Sequence, residues 1–322
     1  MSKSRRVVKR RKEVVDFIGT AEALDTEVAI TIAAQAFRAE GFRKRTIDDY
    51  SKLFRYFMRE LNIENVEIIT AAHVQMYINK LLNRELAPAT VNIRISALKS
   101  VFKRLNEQGY IKSNPTVDFV KLRTDEAPIF TLNNNQIKRL FRVVDKTTYA
   151  GYRDYCAMLL MLHCGLRVNE VNQLEANDID FDNLTIMLAG AKNKNRKTRA
   201  VPMTKKVAEE LRMLVGESRE YFEGISNVFL TQEGNVIDND LLRKRMYRYG
   251  TLAGLLKECR PSPHSLRHTF ATNFLRNGGS VNALMRIMGH ADITTTMRYV
   301  RLNDEAVKEQ YEKVAAKNDY GI

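Results

Sequence analysis

Between Asp25 and Gly109 apolar residues recur every third or fourth position, and no alternating run interrupts them. This length of chain therefore carries the pattern of helices and nowhere that of a strand. Thr26 stands where a cap is expected, ahead of Val28, Ile32 and Ala36 at four-residue intervals. Thr46, with Asp49 three residues on, resembles a capping box opening a helix that lines up Tyr50, Phe54, Phe57 and Leu61. Thr70 precedes a third helix with Val74, Tyr77, Ile78 and Leu81 inward. A fourth starts near Pro88, carries Val91, Ile95, Leu98, Phe102 and Leu105, and stops at Gly109. Stripes at this spacing are core, so residues 20–122 are expected to form a compact helical domain. Arg94, Lys99, Lys103 and Arg104 on its solvent face are the expected phosphate contacts.

A chain of 322 residues is longer than one domain usually runs, and 44% hydrophobic residues suffice for two cores. Asn114-Pro115 and the polar segment 121–128 mark the joint, with the linker placed at 123–128. The second domain, 129–322, mixes types. Helices are expected over Leu132–Val144, Arg153–His163, Val168–Leu174, Lys205–Val215, Asn239–Leu256 and Asn303–Ala316. Strands are expected at Leu184–Ala189, Arg199–Met203 and Val228–Thr231. The fold class is thus mainly α, with a small β-sheet confined to the C-terminal domain.

The formal charge of +14 points to a polyanionic partner, and residues 1–19 form a basic tail suited to tracking a phosphate backbone. The most apolar run, Cys156–Leu162, is too short to cross a bilayer, so no membrane partner is expected. Three cysteines without CxxC spacing fit reduced core residues in the cytoplasm, and five histidines without metal-ligand spacing argue against a structural zinc site; no cofactor is expected.

The chemistry-bearing groups are concentrated late in the chain. His264 and Arg267 lie one helical turn apart and share a face; His290 and Tyr299 follow. Arginine grips phosphate oxygens with a planar fork, imidazole moves protons near neutral pH, and a phenol attacks once its proton is handled. Tyr50 and Tyr77 are better explained as packing. His73, His163 and His268 are expected to be structural, and Glu170 and Asp178 to orient neighbours or cap helices.

HCGLRVNEVNQL at 163–174, HSLRHTFAT at 264–272 and MGHADITTTMRYV at 288–300 resemble the first arginine box, the second arginine box and the terminal box of the tyrosine recombinase (phage integrase) family, which includes Xer-type and transposon-encoded members. KNKNRKTRAVP at 192–202 resembles the family's lysine-bearing hairpin, and residues 86–115 resemble the end of its helical SAM-like core-binding domain. The resemblance implies a C-shaped clamp of core-binding and catalytic domains on double-stranded DNA with inverted core sites. It implies Tyr299 as nucleophile, Arg167 and Arg267 as clamps on the phosphate oxygens, His264 and His290 as donors, and Lys194 as leaving-group acid, with Lys192 its competitor. Arg196 and Lys197 join Lys192 as expected DNA contacts. The implied partner is a second duplex held by a homotetramer, two dimers joined through the 303–316 helix, with accessory DNA-bending factors an open addition. The implied activity is recombination through a 3′-phosphotyrosyl bond and a Holliday junction. A type IB-like topoisomerase and a catalytically silent DNA-binding regulator are the alternatives, and the cytoplasmic nucleoid is the expected location.

Overall fold

The computed structural model describes residues 24–125, 128–190, 198–222 and 224–300. The chain divides into two units, Met1–Glu126 and Ala127–Ile322. The tail at 1–19, the hairpin candidates Lys192, Lys194, Arg196 and Lys197, and the 303–316 segment lie outside the described residues.

In the first unit the helices are α1 (Thr26–Ala39), α2 (Lys44–Leu61), α3 (Ala71–Asn83) and α4 (Pro88–Glu107). Asp25, not Thr26, caps α1, its carboxylate accepting from the Val28 amide. The face of α1 is also rotated from the expected one. Of the residues expected inward, Ala36 is buried, Ile32 is half-buried and Val28 is 48% exposed, while Ala29, Ile30, Ala33, Ala34 and Phe37 are buried. The physical reason is size: the alanine row lets α1 approach its neighbours closely, a signal that a search for large apolar residues passes over. Helix α2 starts ahead of the expected Thr46 box, with Arg43 at the N-cap position. The third and fourth helices follow expectation. Thr70 precedes α3, Pro88 occupies the first turn of α4, and the residues named for both stripes are buried.

The centre of this unit is aromatic. Phe57 meets Tyr77 and Phe102 edge-on at 5.1 and 6.0 Å between centroids, and Phe54 meets Phe102 at 5.3 Å. Such pairs add about 1 kcal/mol each beyond their burial. Asn92 closes the unit by bonding both the amide and the carbonyl of Leu122, at 2.8 and 2.9 Å. Several basic residues expected on DNA are engaged within the unit. Arg94 lies over the Tyr56 ring at 4.5 Å, Lys99 donates to the Phe119 carbonyl, and Arg104 pairs with Glu40 at 2.6 Å while covering Phe37. Lys103 has the exposed partner Glu107 at 3.7 Å.

The second unit contains α5 (Asn134–Arg142), α6 (Tyr149–His163), α7 (Val168–Asn172), the strands β1 (Ile179–Asp180), β2 (Thr185–Leu188) and β3 (Arg199–Pro202), then α8 (Lys205–Tyr221), α9 (Asn239–Leu252), α10 (Pro263–Arg276), α11 (Val281–Met288) and α12 (Ile293–Val300). The sheet is antiparallel in the order β1-β2-β3, with Ile186 opposite Ile179 and Val201. Val228–Thr231 is not its third strand. Only isolated bridges form there, Glu175 with Asn227 and Leu230 with Val236, and Ile179–Asp180 takes the place. Val228, Phe229 and Leu230 are wholly buried, so their apolar run records burial, not ladder pairing.

Helix α6 is the core rod. Cys156 to Met161 are buried in succession, packed between α8 and α10. Two of the cysteines, Cys156 and Cys164, are buried free thiols, Cys259 is half-buried, and burial pushes the Cys164 thiol up to about 12. Among the described residues no helix is long and apolar enough to cross a membrane.

Candidate active site

Ser262 and Ser265 cap α10 reciprocally: the Ser262 hydroxyl accepts from the Ser265 amide at 3.1 Å and the Ser265 hydroxyl from the Ser262 amide at 2.9 Å. Pro263 in the first turn has no amide to satisfy. His264, Arg267 and His268 then fall on one side of the helix, Leu266 is buried beside them, and Ala271 and Leu275 continue the His264–His268 side as the apolar bed of Tyr299. Helix α10 is thereby held against the core at a fixed rotation, which is what aims these three side chains.

Arg267 is 4% exposed, so an entire guanidinium has been taken out of water. It donates to the Gly165 carbonyl and, at 2.8 Å, to the Met288 carbonyl. Burial, and secondarily the charge of Arg167, pull it down to about 9. Arg167 stands at the entry to α7, reached through Gly165, whose φ of +66° and contact with the Phe270 ring leave no room for a Cβ. Arg167 bonds the Gly289 carbonyl at 3.2 Å and Glu170 at 3.0 Å. Arg199 at the start of β3 is the third cation, with Nε on the Ile287 carbonyl at 2.8 Å and both Nη atoms on Glu170 at 3.0 and 2.8 Å.

Two features allow three guanidinium groups to gather. One is Glu170, only 2% exposed. Burial works against its charge, but the hydrogen bonds from Arg199 and the charges of Arg199 and Arg167 outweigh this and hold its pKa below the ordinary value. The other is the C-terminus of α11, where the carbonyls of Ile287, Met288 and Gly289 each accept from a different arginine. Gly289 turns the chain there at a φ of +61°, which points those carbonyls at the cluster. A helix end carries about half a negative charge. With Glu170 it leaves the three cations with an excess of about +1.5, enough to draw in one phosphate diester.

His290 follows that turn directly. Its Nε2 lies 3.2 Å from Arg267 Nη2 and its Nδ1 2.8 Å from Thr296 Oγ1. Arginine has no lone pair to offer, so Nε2 is the acceptor and the proton sits on Nδ1, donated to the threonine. Burial and then Arg267 bring this imidazole down to about 3, so it is neutral. His264 is likewise lowered, by burial first and then by Arg267 and Arg167. Tyr299, on α12, is 4% exposed and packed with Ala271, Leu275, Leu284 and Met288. Its ring is parallel to that of His290 at 6.4 Å, and its hydroxyl lies 2.7 Å from His268 Nδ1. Burial raises the phenol pKa while Arg267, Arg298 and Arg167 act against it, so the hydroxyl keeps its proton here.

Arg167, His264, Arg267, His290 and Tyr299 therefore come together from α7, α10, the α11–α12 turn and α12. Arg94, Lys99, Lys103 and Arg104 belong to the other unit. Two neighbours of the site were not assigned to it by sequence. Arg199 reads there only as the first residue of the expected strand 199–203, because its partner Glu170 is remote in the chain. His268, expected to be structural, touches the phenol itself. Helical spacing from His264 offered a signal for His268; nothing offered one for Arg199.

Residues 131–306 match the phage integrase family, and residues 32–111 match the phage integrase N-terminal SAM-like domain. The chain is 29% identical over 267 residues to tyrosine recombinase XerC of Oceanobacillus iheyensis, spanning 81% of this chain and 86% of that protein. It is 31% identical over 230 residues to tyrosine recombinase XerD of Lacticaseibacillus casei, spanning 70% and 77%. Its fold is shared with the Tn1549 transposon integrase in complex with transposon right end DNA, at a TM-score of 0.69 and 22% identity over 89% of this chain and 99% of that one. It is shared also with a lambda integrase dimer bound to a COC′ core site, at 0.67 and 16% over 86% and 77%. A SAM-like helical unit followed by an integrase catalytic domain over more than half the chain places this protein in the phage integrase family, as a tyrosine-type site-specific DNA recombinase.

Proposed function

We propose that Tyr299 attacks a DNA backbone phosphate in line with the 5′ oxygen, forming a 3′-phosphotyrosyl bond and releasing a 5′ hydroxyl. The observation that carries this reading is the convergence of a buried phenol with Arg167, Arg267, His264 and His290 in one cluster. Arg167 and Arg267 clamp the two non-bridging oxygens, where negative charge grows in the transition state. Cations fixed in advance act most strongly there, and loss of one such donor costs roughly a hundred- to a thousandfold in rate. His290 presents a lone pair to Arg267 before substrate arrives; the charge of a phosphate favours a second proton on the ring and turns it into a donor. Lys194, with Lys192 as its competitor, protonates the departing 5′ oxygen. The ester conserves the energy of the broken phosphodiester, so rejoining to a partner strand needs no nucleotide.

Complete recombination by this chemistry needs four such sites on two duplexes. We infer a tetramer of two dimers on inverted core sites, linked through residues 303–316 and passing through a Holliday junction. DNA-bound relatives support the partner: XerH in its pre-cleavage complex with difH and the lambda integrase dimer on its core site. The test of the chemistry is Tyr299→Phe on a nicked suicide duplex. Binding is expected to persist and the covalent protein–DNA adduct to vanish; an adduct formed by that variant would overturn the assignment of the nucleophile.

A further inference from the structure

A phenol cannot attack phosphorus efficiently while it holds its proton, so the site needs an acceptor for it. Among the described residues the Tyr299 hydroxyl has one hydrogen-bonding partner, the Nδ1 of His268 at 2.7 Å. His290 is the nearest alternative, and its parallel ring has both nitrogens committed, Nδ1 to Thr296 and Nε2 to Arg267. His264 has its ring 6.4 Å from that of His268, one turn back on α10. The helical advance of about 100° per residue explains the division of labour between neighbours. Arg267 turns inward to the carbonyls of Gly165 and Met288, and His268 turns to α12 and its tyrosine. One helix thus fixes a phosphate clamp and a proton acceptor side by side.

We propose that His268 is the base of the cleavage step, taking the Tyr299 proton onto Nδ1 as the phenolic oxygen closes on phosphorus. The inference rests on the reading of Tyr299 as nucleophile. The bond from phenolic oxygen to phosphorus forms as the bond from phosphorus to the 5′ oxygen breaks. The electron pair leaves on the 5′ oxygen, which receives a proton from the hairpin lysine, and the diester stays singly charged. His268 is left as imidazolium. In ligation it returns the proton to the departing phenol, so the cycle closes with no net change at the residue. Burial and then the charges of His264, Arg267 and Arg298 hold this imidazole down to about 4, so the ring is neutral; with its one proton on Nε2, Nδ1 accepts from the Tyr299 hydroxyl. A bound phosphate supplies the negative charge that stabilises the imidazolium.

The experiment uses the full chain and a duplex that it selects from a randomised pool, nicked near the scissile phosphate to trap the adduct. His268→Asn keeps an acceptor near the Nδ1 position but cannot hold a proton. It is expected to bind the duplex as the unsubstituted chain does and to cleave about 100-fold more slowly. A 5′-bridging sulfur, which needs no leaving-group acid, is expected to leave that defect unchanged while restoring Lys194→Ala. A fluorinated tyrosine at position 299, with its more acidic phenol, is expected to recover at least tenfold of the loss in His268→Asn. Should His268→Asn lose its fold, His268→Gln takes its place in the same series. Cleavage at the unsubstituted rate, repair by the bridging sulfur, or no gain from the acidic phenol each overturns the proposal. An unsubstituted chain that binds the duplex yet forms no adduct at Tyr299 overturns the nucleophile and the base together.

Discussion

Glu170 and the two neutral imidazoles set the charge balance of the site. Glu170, itself 2% exposed, faces Arg199 and Arg167 at 2.8 and 3.0 Å and lies 4.0 Å from Arg267. Removing one partner of a buried ion pair leaves uncompensated charge at a cost of about 3–5 kcal/mol. Glu170→Ala is therefore expected to lose stability of that order in urea denaturation, and a loss within experimental error would show that water reaches the cluster. The imidazoles set a pH dependence. Folded His268 and His290 stay neutral down to about 4 and 3, whereas their ordinary value is 6.5. Between those limits the unfolded chain binds more protons than the folded one. The stability these two groups contribute is thus fully present above 6.5 and is lost as pH falls from there toward 4 for His268 and 3 for His290. The urea midpoint should be lower at pH 5 than at pH 7, and the difference should shrink in His268→Gln; equal midpoints at the two values would contradict the shifts. At this scale chemistry and spacing singled out His264, Arg267, His290 and Tyr299 as candidates, and Arg167 entered through the resemblance of 163–174 to an arginine box; the structure brings the five together. Arg199 and the contact of His268 with the phenol were not legible, since each depends on a partner that only tertiary packing supplies.

Among the elements, the loop into α7 and the end of α11 do the positioning. Gly165 offers its carbonyl to Arg267 and leads within two residues to Arg167, and a Cβ there would stand 2.4 Å from the Phe270 ring at a φ of +66°. Gly165→Ala should lower stability by about 1–2 kcal/mol for the left-handed backbone alone and should slow cleavage more than it weakens DNA binding. Equal losses in cleavage and binding would mean that the loop serves the fold and not the site. Helices α3 and α4 could be read in advance because their stripes are made of large residues at regular spacing. The face of α1 could not, as small alanines carry it. The third strand was misplaced for a related reason: the apolar run at 228–230 marks burial, while Ile179–Asp180 pairs through its backbone, to which side-chain pattern is blind. The carbonyls of α11 that hold the arginines have no side-chain signature at all.

For the whole molecule, the two units answer to the two patterns in the sequence, all-helical and then mixed, and the division falls within the polar 121–128 segment. A chain of charge +14 acting on a duplex should bind with a steep salt dependence, since each phosphate contact adds about 0.9 to the slope of log affinity against log salt. The charge-removing pair Lys103→Gln and Arg94→Gln tests the first unit. A slope reduced by about 2 would assign both to phosphates, whereas an unchanged slope would leave Arg94 as a partner of Tyr56 and Tyr77. Deletion of residues 304–322 should abolish recombination between two sites while sparing binding to one; unchanged recombination would remove that segment from the assembly. The most direct measurement is on the unsubstituted chain: trap the protein on a nicked duplex, digest the adduct, and identify by mass spectrometry the peptide and the nucleotide joined. The expected linkage is Tyr299 to a 3′ phosphate, with a free 5′ hydroxyl on the other strand end. A nucleotide joined at any other residue, a linkage through a 5′ phosphate, or no linkage on a duplex that the chain demonstrably occupies would contradict it.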